Sequence, residues 1–139
     1  MRPLPSVIFM SNTDVVRIHV MAIAQLGGRQ GIHNFGLLES AVNHPWMILE
    51  FGSNEAREMH NLAAAYFFHI IKNHPFVDGN KRTGLLTALE FMYRNDFEID
   101  GKFENLYEDL YQLALNTAMS RVNKEEIASF FKKVMKEIK

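Results

Sequence analysis

Residues 62–71 read "LAAAYFFHII", a run that sets the architecture around it. Its surroundings extend it to "NEAREMHNLAAAYFFHIIKN", residues 54–73, whose apolar positions from Leu62 to Ile71 fall on every side of a helix. A helix without a polar face must be covered all round, so it belongs at the centre of a bundle. Ser53 is the candidate cap at its start. Asn73-His74-Pro75 ends it, because a residue before proline is pushed toward extended backbone.

The covering helices lie on both sides in sequence. Before the centre, Ser11-Asn12-Thr13-Asp14 has the capping-box pattern, and "DVVRIHVMAIAQL" follows with Val16, Val20 and Ile23 predicted on one face. Gly27-Gly28 stops that helix and "GGRQGIHN" reads as a flexible loop. "FGLLESAVN" predicts a short helix ending before His44-Pro45, and "HPWMILEFGSN" an apolar, extended linker. After the centre, "RTGLLTALEFMYRND" predicts a helix with Leu85, Leu86, Leu89, Met92 and Tyr93 on one face. "FEIDGKF" reads as a turn or short extended piece, and Leu106, Leu110, Leu113, Ala114 and Thr117 mark another helix. The last is predicted from Asn123 to Lys139, with an N-x-x-E cap at Asn123 and Glu126 and a stripe of Ile127, Phe130, Phe131, Val134 and Ile138. No repeat or low-complexity run interrupts the pattern. The expectation is one all-α domain over residues 1–139, a compact bundle of about six helices.

Composition narrows the functional classes. The 139 residues are 47 % hydrophobic and 12 % aromatic, which is globular and not disordered. A formal net charge of -1 gives no bulk basic field, so no direct nucleic-acid partner is expected. The absence of cysteine excludes disulfides and Cys-based zinc sites and fits a reducing compartment. "MRPLPSVIFMSNTD" is too short and interrupted for a signal peptide, and no run of about 20 apolar residues occurs. A cytoplasmic protein without a membrane segment is the expectation.

The chemistry concentrates in "NHPFVDGNKRTG", residues 73–84, directly after the oily helix. Asp78-Gly79-Asn80 reads as turn and N-cap of the next helix. The first amides of a helix lack internal partners and sit at the positive end of its dipole, so they can hold an anion. Lys81 and Arg82 are adjacent at that start, their side chains roughly a quarter turn apart, and suit two phosphates of one polyphosphate. Asp78 offers the hard oxygen that a phosphate-bridging magnesium ion needs. His74 supplies an imidazole, the side chain type suited to general base work at neutral pH. Base, metal ligand and anion cradle within nine residues suggest phosphoryl or nucleotidyl transfer to a hydroxyl.

The bland reading is a polar turn in which Asp78 caps a helix and His74 ends one. Against it, Lys81 and Arg82 oppose the dipole of a first helical turn, where a structural start would place Asp or Glu. That misplacement marks an anion. Elsewhere, His60, His69 and His74 are spaced by nine and five and share no helix face, so no protein-only metal site is expected. His69 reads as a polar residue among aromatics, and His19, His33 and His44 have no matching partners. No phosphate loop or dinucleotide fingerprint occurs.

"HPFVDGNKRTG" resembles the signature of the Fic/Doc family, a pattern close to HxFx[DE][AG]N[GK]R. "GLLESAVNHP", "GNKRTGLLTALEFMYRND" and "NKEEIASFF" are similar to further stretches of Doc-type toxins, so the likeness spans roughly residues 9 to 131. The resemblance implies a Fic/Doc helical fold and an ATP- and Mg2+-dependent transferase acting on a protein hydroxyl. By its pattern His74 is the base, Asp78 the magnesium ligand, Gly79 and Asn80 the anion hole, Arg82 the phosphate clamp and Phe76 the anchor of the loop in the core. It also implies a flap before the central helix that pairs with the target's backbone, for which residues 44–53 are the candidate.

Lys81 bears on the reaction. Family members that transfer AMP carry glycine there, in the pattern DGNGR, whereas the NKR variant resembles Doc, which transfers the γ-phosphate. The resemblance therefore implies a protein kinase, with AMP transfer as alternative and a translation elongation factor as the family's Doc-type target. The self-inhibitory pattern [ST]xxxE[GN] is absent, since Glu104-Asn105 is preceded at its first position by Asp100. A separate antitoxin partner is the corresponding expectation. A reading of another class is a non-catalytic helical interaction domain that uses the loop only as a cap.

Overall fold

The computed structural model describes residues 6 to 138. Within them lie six helices, α1 (Asn12–Leu26), α2 (Phe35–Phe51), α3 (Met59–Asn73), α4 (Asn80–Arg94), α5 (Leu106–Ala118) and α6 (Lys124–Val134). Two short strands, β1 (Phe97–Ile99) and β2 (Met135–Glu137), complete the order. Helix α3 is the axis: Leu62 to Phe67, Ile70 and Ile71 are buried, and α2, α4, α5 and α6 pack around it. The fold is all-α, as the all-round apolar stretch predicts. No helix of the described residues is long and apolar enough to cross a membrane.

Both predicted capping boxes form. The Ser11 hydroxyl accepts from the Asp14 amide while the Asp14 carboxylate accepts from Ser11 N, and Asn123 and Glu126 repeat the exchange at α6. Ser53 caps a turn and not α3 itself: its Oγ accepts from Ala56 N at 3.1 Å, and α3 begins at Met59.

The largest departure is α2, which runs through His44-Pro45 to Phe51. Proline inside a helix costs about 3 kcal/mol or more, so burial must offset it. Leu38, Ala41, Pro45 and Leu49 are the buried residues, at helical spacing, and Pro45 continues a stripe that faces α3. His44 stacks on His69 of α3, ring centroids 3.6 Å apart, which pins the residue before the proline. The predicted extended linker, and with it the flap candidate at 44–53, is therefore replaced by helix as far as Phe51.

Two faces also shift. On α1 the buried residues are Val15, Ile18, His19, Ala22 and Ile23, while Val20 is 47 % exposed. On α4 they are Asn80, Thr83, Gly84, Thr87, Ala88, Phe91 and Met92, whereas Leu86 and Tyr93 are exposed. Hydrophobic matching passes over Thr and Gly, yet small residues let two backbones approach. A Cβ on Gly84 would lie 2.8 Å from Ile71 Cγ1 and 3.2 Å from Phe67 O, so this glycine sets the α3–α4 distance.

Helix α6 ends at Val134, short of the predicted Lys139, because the chain turns extended and pairs with β1. Phe97 opposes Glu137 and Ile99 opposes Met135 in antiparallel register. This ribbon realises the extended piece expected at "FEIDGKF".

An ion cluster ties α1 to α4. Arg94 donates to Asp14 Oδ2 at 3.0 Å and to Glu90 Oε2 at 2.7 Å, and Arg17 also reaches Glu90 at 2.8 Å. The Arg94 hydrogen bond, aided by Ser11, holds the Asp14 carboxyl down to about 2. A depressed folded pKa adds stability above the unfolded value near 3.8 that is lost as pH falls toward 2. Asp14→Asn is expected to remove roughly 1 kcal/mol at neutral pH, after allowance for solvent screening, and little at pH 2. Urea unfolding at both pH values reads the difference, and an equal loss at both would exclude the ionised pair as its source.

Candidate active site

Residues 74–79 connect α3 to α4 and carry the predicted chemistry. His74 is the C-cap of α3, its amide donating to Ile70 O at 3.3 Å. Its backbone is left-handed (φ 53, ψ 54), not extended as the following proline predicts. Proline disfavours the right-handed helical region at this position, and a left-handed C-cap also leaves that region while closing the helix end. The conformation is uncommon for a side-chain-bearing residue and turns the chain sharply at the predicted base.

The next residues dive inward. Phe76 is fully buried and stacks on His19 of α1, centroids 3.9 Å apart and planes 5° from parallel. Asn80 clamps the same residue: its Oδ1 accepts from Phe76 N and its Nδ2 donates to Phe76 O, both at 2.9 Å. The Asn80 side chain is thus committed to the loop, and what it can offer an anion is its backbone amide. Phe76 is thus held in the core beneath the loop.

Asp78 returns to the surface. Its Oδ2 accepts from Arg29 N at 3.1 Å and its Oδ1 from Gly79 N at 2.8 Å. These two amides hold the carboxyl below the usual carboxylate range. Gly79 (φ 77, ψ 20) is the N-cap of α4 without a side-chain cap, and the first turn of α4 contains no acidic residue. Thr83 N makes the first backbone bond, to Gly79 O at 2.9 Å. The amides of Asn80, Lys81 and Arg82 precede it and have no acceptor within the helix. Lys81 is exposed beside them, and Arg82 Nη2 donates to Gly27 O at 2.8 Å.

The α1–α2 loop, predicted only as flexible, straps this site. Val77 N donates to Gly31 O at 3.0 Å, and His33 N and Asn34 N both donate to Pro75 O, at 2.7 and 3.0 Å. Ile32 bridges antiparallel to Phe76. The chain that pairs with the motif's backbone therefore comes from residues 31–34, through the bridge at Ile32, rather than from 44–53. The strap fits closely at Gly28 (φ 118), where a Cβ would lie 2.9 Å from Asp78 Oδ2 and 3.1 Å from Arg82 Nη2. The positive φ favours glycine there, and an added Cβ would push on the ends of the Asp78, Ile23 and Arg82 side chains.

The structure brings His74, Asp78, Gly79, Asn80, Lys81 and Arg82 to one loop and helix start, as the spacing predicts. It adds His19, Gly28 and Arg29, which sequence reading passes over. Their link to Asp78 spans 49 to 59 residues along the chain, and no local pattern signals it. His69 lies apart from this site. It stacks on His44, and Lys124 Nζ lies 3.3 Å from its Nε2. Burial first, then the charges of His44 and Lys124, push it down to about 3.

Comparison with known proteins finds relatives of this chain. The profile of the Fic/DOC family matches residues 9–92. The chain is similar to "Toxin Doc" of Mycolicibacterium smegmatis, 32 % identical over 96 residues that cover 69 % of this chain and 71 % of that one. It is also similar to "Protein kinase doc" of Escherichia phage P1, 23 % identical over 125 residues that cover 90 % of this chain and 94 % of that one. With the family profile spanning most of the chain and the helix–loop–helix motif folded as described, this protein belongs to the Fic/Doc family, among its Doc-type members.

Proposed function

We propose that this protein is a Doc-like toxin that transfers the γ-phosphate of ATP to a Ser or Thr hydroxyl of a target protein. The observation that carries it is the amino end of α4: free amides, Lys81 and Arg82 with no acidic residue in the first turn, directly after the loop that carries His74 and Asp78. The name of the phage relative supports transfer of phosphate, and that of the mycobacterial one supports a toxin role.

The donor set fits a polyphosphate with one magnesium ion. Mg2+ takes one or two protein carboxylates and fills its remaining positions with phosphate oxygens and water, and Asp78 offers one carboxylate kept ionised by its amide donors. When bound, the ion would neutralise charge between neighbouring phosphates. The amides of Asn80 and Lys81 form the anion hole together with that of Gly79, which exchanges Asp78 Oδ1 for a phosphate oxygen; Lys81 adds charge for the terminal phosphates, and Arg82 exchanges its bond to Gly27 O for another. His74 takes the proton of the target hydroxyl as its oxygen forms the new bond to γ-phosphorus. The bond from that phosphorus to ADP breaks, and ADP leaves with the electron pair.

A cytoplasmic toxin of this kind needs control, so a separate antitoxin protein is part of the proposal. A translation elongation factor is the first target to test. Cell lysate is incubated with the protein and ATP labelled at either the α- or the γ-phosphate. Label entering protein only from the γ position is the expected result. Label only from the α position identifies AMP transfer. No transfer at all, unchanged by His74→Ala, identifies a non-catalytic interaction domain.

A further inference from the structure

His19 is 2 % exposed on the inner face of α1, and the chemistry above does not use it. Its Nε2 lies 2.7 Å from the carbonyl oxygen of Asp78, and its ring is stacked on Phe76. A carbonyl only accepts, so this bond requires a proton on Nε2. Histidine thus grips the loop twice, by a ring face at residue 76 and by a hydrogen bond at residue 78.

The consequence lies one atom further on. In a trans peptide the C=O and N–H point in opposite directions, and no described peptide bond is cis. With Asp78 O directed inward to His19, the Gly79 N–H is directed the other way, where it meets Asp78 Oδ1 at 2.8 Å. Glycine tolerates φ of either sign, so Gly79 itself does little to stop this peptide from flipping. The restraint has to come from outside, and His19 supplies it. A flip would turn the Gly79 N–H inward and strip Asp78 Oδ1 of its donor in one movement.

We propose that His19 is a positioning residue that locks the Asp78–Gly79 peptide, aiming the Gly79 N–H at the phosphate side and orienting the Asp78 carboxylate. This rests on the reading of Gly79 as part of a phosphate cradle. It specifies how a buried residue of α1 sets the site's affinity for nucleotide.

The test has two arms. Without nucleotide, 15N NMR of the whole protein is expected to show His19 protonated on Nε2 and a single Gly79 amide signal. In His19→Phe, which keeps the stacked ring and loses the donor, that signal is expected to shift or split. In His19→Gln, whose amide restores a donor, it is expected to return. With nucleotide, calorimetry using magnesium and the non-hydrolysable analogue β,γ-imido-ATP is expected to show binding about 10- to 100-fold weaker in His19→Phe, largely recovered in His19→Gln. A bare Nε2 in the wild type overturns the proposal. So does a Phe variant with an unchanged Gly79 signal and unchanged affinity, or one whose only change is a lower melting temperature. If His19→Phe does not fold, the wild-type tautomer and the Gln variant decide, and a displaced Gly79 signal in the latter overturns it. A wild type that binds no nucleotide sinks the proposed function, yet leaves the first arm to report on the peptide.

Discussion

His74→Ala is expected to lower transfer of γ-labelled phosphate by about 100- to 10,000-fold, the range for removal of a general base. Stability should hardly change. The side chain is exposed, and such substitutions usually stay within about 0.5 kcal/mol. The backbone strain belongs to the left-handed cap and remains in the alanine variant. A rate measurement paired with a melting curve separates the two effects. Undiminished transfer would remove His74 from the mechanism. Loss of transfer together with a large drop in stability would mean that the variant had disturbed the cap and not only the base.

Phe76→Ala is expected to cost about 3–5 kcal/mol of folding stability, the range for deleting a buried aromatic side chain. The ring is fully buried, packs face to face on His19, and belongs to the residue whose backbone is clamped by Asn80 at both N and O. Its removal leaves a cavity directly beneath the loop that carries Asp78 and Gly79. Transfer activity should therefore fall even below the unfolding transition, where the chain is still folded. Urea denaturation measures the first effect and single-turnover transfer the second. A loss below about 1 kcal/mol would show that the core does not hold the loop. Phe76→Leu, which keeps most of the buried volume, should be milder in both measurements.

Much of this molecule was legible from local chemistry. The all-round apolar run from Leu62 to Ile71 demanded a central helix, and the two capping boxes located the starts of α1 and α6. The position of Lys81 and Arg82 at a helix start, where they oppose the dipole, was legible too, and α4 does begin at Asn80. The continuation of α2 through Pro45 was hidden. The proline rules describe local cost, and what overrides them is a stripe buried against α3, which no window of the sequence contains. The inner face of α4 was hidden for a related reason. Thr83, Gly84 and Thr87 do not look like core residues, and only the closeness of α3 makes their small size the relevant property.

The candidate groups from His74 to Arg82 are readable along one loop, because their types and spacing are local facts. How that loop is held follows from contacts distant in the chain. The His19 bond to Asp78 O, the Arg29 amide on the Asp78 carboxylate and the Gly27 carbonyl on Arg82 join groups 49 to 59 residues apart. Such contacts have no period or motif. They exist because the core brings α1 and its following loop against the start of α4, and backbone amides and carbonyls, which every residue carries, then find partners that side-chain identity cannot announce.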